Sequence, residues 1–249
     1  MNDYLGEVLN NEEICDGAFL LEVGFSKLPR IRGGQFAMLE VPREDCVLRR
    51  PLGVCMSDDG YAAFLYQLKG KGTHSLSYLQ PGDNVRALMP LGNGFPNGGY
   101  RNVAVVGGGF GIAPLYMTAA EYGGGNVRIY NGFATKKQVM LAKQFAAVGD
   151  LTVCTDDGSE GFHGFPTQAL AADIEKGFAP EAIFCCGPDP LMKAVKKLGE
   201  AHDIATYVSL EAHMGCGVGA CLTCTCKVAG HNKRVCKDGP VFRSTEVFA

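Results

Sequence analysis

The stretch VAVVGGGFGIAPLYMTAA, Val103 to Ala120, decides how this chain folds. Its 18 residues carry no charge, which reaches the lower edge of a membrane span. Four glycines and Pro114 interrupt it, however, and its first part is rich in valine. The pattern predicts a buried strand over Val103–Val106, a glycine turn, and a helix beginning near Ala113. The same unit recurs downstream. Strands are predicted at Val127–Tyr130, Leu151–Cys154, Ala182–Cys186 and Ala205–Val208, with helices at Leu115–Tyr122, Lys136–Ala147, Pro166–Glu175 and Pro190–His202. Such alternation implies a parallel sheet with helices on its faces.

Upstream the texture changes. Short β-type runs at Phe19–Val23, Phe36–Val41, Ala62–Leu68 and Asn84–Ala87 are punctuated by Arg32-Gly33-Gly34, Asp58-Asp59-Gly60 and Pro81-Gly82-Asp83. That spacing suggests a small antiparallel barrel. Residues 89–102, MPLGNGFPNGGYRN, are dense in Gly, Pro and Asn and mark a boundary. The expectation is an α+β multidomain chain: a β-barrel over residues 1–98, an α/β nucleotide domain over 99–207, and a cysteine-rich module over 208–249.

Composition excludes several classes. Glycine supplies 34 of 249 residues, with no Gly-X-Y period that would indicate collagen. Lysine and arginine number 23 against 26 acids, so the net charge of −3 offers no basic field for nucleic acid. The N-terminus contains acidic residues and no basic-then-apolar leader, which points to the cytoplasm. Eleven cysteines in a chain of this length do not describe a secreted disulfide framework. Five of them, Cys216, Cys221, Cys224, Cys226 and Cys236, crowd into the last module and read first as a metal site.

Cys216, Cys221, Cys224 and Cys236 make C-x4-C-x2-C-x11-C, the plant-type ferredoxin spacing for a [2Fe-2S] cluster. Glycines 215, 217 and 219 let backbone N–H groups turn toward the cluster without a Cβ in the way. Structural zinc and free thiols are the alternatives, although only Cys221 with Cys224 makes a zinc-type knuckle. Cys226 falls outside the spacing and reads as a small buried residue.

Gly107, Gly109 and Gly111 open a turn after a buried strand, where helix N-terminal N–H groups suit a pyrophosphate. A glycine turn that merely lets strand and helix pack is the alternative. The full G-x-G-x-x-G fingerprint is absent, because Ile112 stands at the last position. No acid ends the second strand either, since Asn131 follows Tyr130. Cys186, Gly187 and Pro188 follow the fourth strand, at the sheet end where open α/β folds bind ligands. Thr135-Lys136-Lys137 reads chiefly as solvated lysines opening a helix.

The order of these features resembles the ferredoxin reductase superfamily, and in detail the electron-transfer subunits of dihydroorotate dehydrogenase B. The resemblance rests on LRRPLGV (Leu48–Val54), GKGTHSLSYLQPGD (Gly70–Asp83), VVGGGFGIAPLY (Val105–Tyr116), CCGPDPLMKAV (Cys185–Val195) and EAHMGCGVGACLTC (Glu211–Cys224), in family order over nearly the whole chain. It implies FAD in the barrel, NAD on the α/β domain and the [2Fe-2S] cluster in the tail. Arg50, Pro51, Leu52 and Gly53 would line the isoalloxazine. Leu65, Tyr66 and Gln67 would run beside the cofactor, and Gly72 with Thr73 would reach its pyrophosphate.

Two departures from the family pattern stand out: Gly53 where serine is common, and Gln67 where arginine is common. Cys186 would sit near the nicotinamide as a positioning contact, and no general base is expected. The implied partner is an FMN-containing dihydroorotate dehydrogenase subunit in a heterotetramer, with electrons passing by the cluster and FAD to NAD+ in pyrimidine biosynthesis. The alternative within the superfamily is an FAD/[2Fe-2S] NAD(P)H-oxidoreductase subunit of another complex, of hydrogenase, sulfide reductase or ferredoxin transhydrogenase type. A zinc-stabilised regulatory protein is the alternative outside it.

Overall fold

A computed structural model describes residues 1–42, 45–123 and 127–248. Its N-terminal sheet contains β1 (Asn2–Cys15), β2 (Ala18–Phe25), β3 (Phe36–Leu39), β4 (Arg50–Gly53), β5 (Met56–Asp58), β6 (Tyr61–Gln67) and β7 (Asn84–Leu91), with α1 (Lys71–Leu76) before β7. All pairings are antiparallel, in the order β4-β3-β7-β1-β2-β6-β5, so the sheet forms a half-barrel. Its inner face buries Val8, Leu21, Val23, Leu39, Phe64 and Leu76. The long strand β1 has no clear apolar alternation, because polar residues interrupt it and only Gly6 and Val8 are fully buried. It pairs with both β2 and β7, which an exposed polar strand can do through backbone groups alone.

The second sheet has β8 (Val103–Gly108), β9 (Val127–Phe133), β10 (Asp150–Thr155), β11 (Phe162–His163), β12 (Ala182–Cys186), β13 (Ala205–Ser209) and β16 (Val241–Arg243). Its order is β11-β10-β9-β8-β12-β13-β16, parallel except for β16. Helices α2 (Tyr116–Tyr122), α3 (Ala142–Val148), α4 (Pro166–Glu175) and α5 (Asp189–Ala201) accompany it. The α+β architecture expected from the sequence is therefore present. The strands are apolar on both faces, with Val105, Ile129 and Phe184 toward one layer and Val106, Tyr130 and Cys185 toward the other. Because β8 leads to β9 on one side and β12 lies on the other, the crevice between their carboxyl ends is the topological switch point.

Two local expectations need correction. The helix beginning near Ala113 starts earlier, as a 3-10 turn over Gly109–Leu115, because Pro114 lacks the N–H that a regular turn would use there. The helix over Lys136–Ala147 is broken into a 3-10 turn at Lys136–Gln138 and α3, with Leu141 in the left-handed region (φ 55°). Met140 and Leu141 are buried against Phe145 and Ile129, so core packing holds the break.

The last segment has β14 (Thr225–Val228) paired to β15 (His231–Arg234), then α6 (Val235–Asp238), β16 and α7 (Ser244–Val247). It is anchored at both ends. Cys224, Val235 and Cys236 pack with Phe36, Met38 and Leu91 of the half-barrel. β16 extends the parallel sheet by pairing with β13. Phe95, between the two sheets, lies 5.4 Å from Phe184 in a tilted contact, and Tyr122 and Tyr207 pack on the same Phe184 ring. Each such aromatic pair contributes about 0.5–1.5 kcal/mol beyond area burial. Among the described residues no helix is long and apolar enough to cross a membrane.

Candidate cofactor sites

The cysteine loop is shaped by its glycines. Gly217 and Gly219 have φ of 71° and 82°, and a Cβ on Gly217 would lie 2.5 Å from Met38 Cγ. Only glycine lets the loop reach this depth against β3. The four thiols fall into two pairs. Cys221 N donates to Cys216 Sγ (3.5 Å), as does Val218 N (3.4 Å), and Cys236 N donates to Cys224 Sγ (3.4 Å).

Donors from Thr223, side chain and backbone, and from Cys216 draw the Cys221 thiol down to about 6. Burial opposes ionisation of Cys216, but backbone N–H groups of Cys221 and Val218 still lower it. Burial, with Cys224 beside it, pushes Cys236 up to about 12. Among the described residues no three His, Cys, Asp or Glu side chains converge as they would on a single ion. Two thiol pairs, each wrapped by N–H donors, suit a two-iron cluster with two thiolates per iron better than one tetrahedral zinc. Leu222 between them is exposed and has φ 64°, whereas Val218 packs inward and Cys226 is half-buried beside it.

A cavity of ≈ 270 Å³ lies where the three parts of the chain meet. Arg50, Pro51, Leu52, Gly53, Leu65, Tyr66, Gln67 and Thr73 line it from the half-barrel; Phe110, Ala113, Pro114, Cys186 and Ser209 line it from the parallel sheet; Glu211, Ala212, Met214 and Pro240 line it from the last segment. Gly72 does not line it. A Cβ there would stand 2.2 Å from Arg50 Nε, so Gly72 makes room for the guanidinium. Thr73 Oγ1 accepts from the Lys69 and Gly70 N–H groups and donates to Gly70 O, fixing the start of α1. Gly53 has room to spare: a Cβ would meet Pro114 at 3.5 Å, an ordinary contact. Burial, reinforced by the Glu211 carboxylate, pushes the Cys186 thiol up to about 12, so it stays protonated.

A second cavity, ≈ 590 Å³, opens at the carboxyl ends of β8–β10 and shares Gln67 and Phe110 with the first. Gly108, Gly109, Pro188 and Leu191 form one wall, and Gln138, Asp156, Phe165 and Thr167 another. A Cβ on Gly108 would be 2.7 Å from Leu191 Cδ2, while Gly109, at φ 53°, faces open space. Gly107, Gly111 and Gly187 line neither cavity. They let chains touch: a Cβ would lie 2.7 Å from Ile112 Cγ2 at Gly107, 2.4 Å from Cys186 O at Gly111, and 3.1 Å from Gly108 N at Gly187. Asn131, in register with Gly107, is buried and its side-chain amide has no hydrogen-bond partner among the described residues. Lys136 and Lys137 are exposed, and Lys136 pairs with Glu160 at 3.3 Å.

Sequence reasoning missed Phe110, Glu211 and Met214. Phe110 sits inside the glycine run, where attention goes to the glycines; the others become neighbours of the cavities only through the fold.

Residues 211–248 match the family model for the iron–sulfur cluster binding domain of dihydroorotate dehydrogenase B. The chain is 42% identical over 227 residues to the dihydroorotate dehydrogenase B (NAD+) electron transfer subunit of Geobacillus thermodenitrificans, covering 86% of each. It is 37% identical to that of Listeria innocua, covering 97% of each. Among solved structures it is similar to a chain of an NADH-dependent reduced ferredoxin–NADP oxidoreductase, with TM-score 0.87, 31% identity, and 97% of this chain and 89% of that chain covered. With its cysteine loop, its cavities and these relatives in agreement, the chain belongs to the family of dihydroorotate dehydrogenase B electron transfer subunits.

Proposed function

We propose that this chain is the electron-transfer subunit of an NAD+-linked dihydroorotate dehydrogenase in pyrimidine biosynthesis, working in the cytoplasm with an FMN-containing catalytic subunit. FAD and NAD occupy the first and second cavities, and Cys216, Cys221, Cys224 and Cys236 hold a [2Fe-2S] cluster. The observation that carries this reading is the first cavity, whose walls come from the half-barrel, the parallel sheet and the cysteine-bearing segment at once. A flavin supplies, when bound, the exchange between a two-electron hydride partner and a one-electron carrier.

The chain's own residues orient and insulate. Arg50–Gly53 and Leu65–Gln67 bind along one wall of the first cavity, with Arg50 held over Gly72. Phe110 and Gln67 stand between the two cavities, where the reacting rings would meet. Cys186, on the wall of the first cavity, stays a neutral thiol, which suits packing beside a cofactor ring and not nucleophilic attack. The glycine turn presents backbone N–H groups to a pyrophosphate, with the unpartnered Asn131 amide behind it. Met214 links the first cavity to the cysteine loop two residues on. A ferredoxin–NADP oxidoreductase role is the second reading, favoured by the 31% likeness above; the higher identity to dihydroorotate dehydrogenase B subunits outweighs it.

The absorption spectrum and the iron and flavin content of purified protein test the assignment. Flavin bands, iron–sulfur bands and NADH-dependent dye reduction are expected. A colourless protein with zinc would overturn it.

A further inference from the structure

We propose that Arg234 is a positioning residue of the cysteine site: it holds the Gly219–Ala220 peptide so that its N–H faces Cys216, and ties that loop to the short helix bearing Cys236. The inference rests on the reading that these cysteines hold a [2Fe-2S] cluster, and goes beyond it by naming a residue outside the four cysteines that shapes the site.

The β14–β15 hairpin separates Cys224 from Cys236, so the fourth thiol needs a tether. Val235 N–H donates to Cys224 O at 3.1 Å and Cys236 N–H to Cys224 Sγ at 3.4 Å, which fixes the second thiol pair. Arg234, at the end of β15, reaches the loop of the first pair. Its N–H donates to Asp238 Oδ2 at 2.8 Å, Nε to the same oxygen at 3.0 Å, and Nη2 to Oδ1 at 3.0 Å. Such a fork fixes the plane of the guanidinium. The remaining arm, Nη1, donates to Gly219 O at 3.3 Å.

Asp238 is itself anchored. Asn93 Nδ2 donates to Asp238 O at 2.9 Å, and Asn93 N–H donates to Gly239 O at 2.6 Å. The half-barrel segment thus holds Asp238, Asp238 holds Arg234, and Arg234 holds the cysteine loop. Gly219 has φ 82°, and a Cβ on it would stand 2.8 Å from Lys237 Cδ, so the loop lies directly on α6.

Gly219 O and Ala220 N–H are the two ends of one planar trans peptide and point opposite ways. A guanidinium that grips the oxygen therefore aims the N–H inward, where Ala220 joins Val218 and Cys221 among the backbone donors to Cys216. Donors to cluster sulfurs stabilise the charge added on reduction and raise the potential. The Arg234 side chain is one-third exposed and paired with Asp238, so it supplies orientation and little net charge.

Anaerobic redox titration of the flavin- and iron-loaded protein, read by electron paramagnetic resonance of the reduced cluster, tests this beside the rate of iron release to bathophenanthroline. In Arg234→Gln the reduced-to-oxidised ratio at a fixed potential should fall about tenfold, which is about 59 mV for one electron. Iron release should be about tenfold faster. Arg234→Lys keeps the charge without the fork and should behave like Arg234→Gln, and Asp238→Asn should move both readouts in the same direction. Lys227→Gln, which removes an exposed charge from β14, should move neither. Flavin content equal to that of wild type verifies that each variant is folded. Wild-type values in Arg234→Gln overturn the proposal, and so do wild-type values in Arg234→Lys, which would make charge the cause, or an equal shift in Lys227→Gln. Should Arg234→Gln hold no cluster, Arg234→Lys and Asp238→Asn decide by the same readouts. A wild-type protein that holds flavin but no [2Fe-2S] cluster removes the underlying reading, and the proposal with it.

Discussion

The cysteine loop and the first cavity bring metal and cofactor chemistry together by opposite means. Three of the four thiols come from nine consecutive residues, Cys216–Cys224, and Cys236 joins them across the β14–β15 hairpin. The cavity draws its walls from residues between Gly34 and Pro240, spread over all three parts of the chain. A local site depends on a few φ angles and donors. An assembled one depends on every interface that sets its walls, so damage should stay confined in the first case and spread in the second.

The largest expected effect separates the two. Cys221→Ser should abolish the iron–sulfur bands while flavin content and NADH-to-dye activity persist, because Cys221 lines neither cavity. Loss of flavin together with iron, read from the same spectrum, would show that the sites are not separable. Gly72→Ala makes the reciprocal cut: the new Cβ displaces Arg50, and flavin affinity should fall by tenfold or more, about 1.4 kcal/mol, with iron retained. Equilibrium dialysis of flavin checks it.

Gly217→Ala tests how far the loop is tied to the half-barrel. The added methyl meets both a left-handed backbone and Met38, so a loss of about 1–3 kcal/mol is expected, with a lowered Tm and weakened iron retention. Gly53→Ser should do the opposite and cost less than about 0.5 kcal/mol, since Pro114 leaves the Cβ room.

A further small effect concerns neither site. Arg49 donates to both Asp3 carboxylate oxygens, at 2.6 and 3.0 Å, and holds that carboxyl below its ordinary value despite partial burial. The folded value being the lower one, the pair stabilises above the usual carboxylate pKa and the contribution fades as pH falls through the folded value. Solvent screening limits it to about 0.2–1 kcal/mol. Denaturant midpoints of Asp3→Asn and wild type should differ slightly at pH 7 and converge in acid.

The same contrast explains what was legible in the sequence. Val103–Val106 and Ala182–Cys186 announce themselves because both faces are buried, so every residue is apolar. The cysteine spacing is readable because its four members are close in sequence. β1 was not readable, since it is held by backbone pairing on two sides while its outer side chains stay in water. Gly72, Gly107, Gly111 and Gly187 are recognisable as special, but sequence cannot say whether a glycine yields space to a ligand or to its own chain. In all four the crowding atom is protein. Phe110 and Glu211 carry no local signal, since only the strand order brings them to a cavity.

The most direct measurement combines the chain with the proposed FMN-containing partner, without oxygen, and follows NAD+ reduction at 340 nm on adding dihydroorotate. The account predicts NADH formation that requires both subunits and is lost with Cys221→Ser, although that variant still passes electrons from NADH to dye. Dihydroorotate-dependent NADH formation that survives Cys221→Ser, or none with both subunits fully loaded, would contradict it.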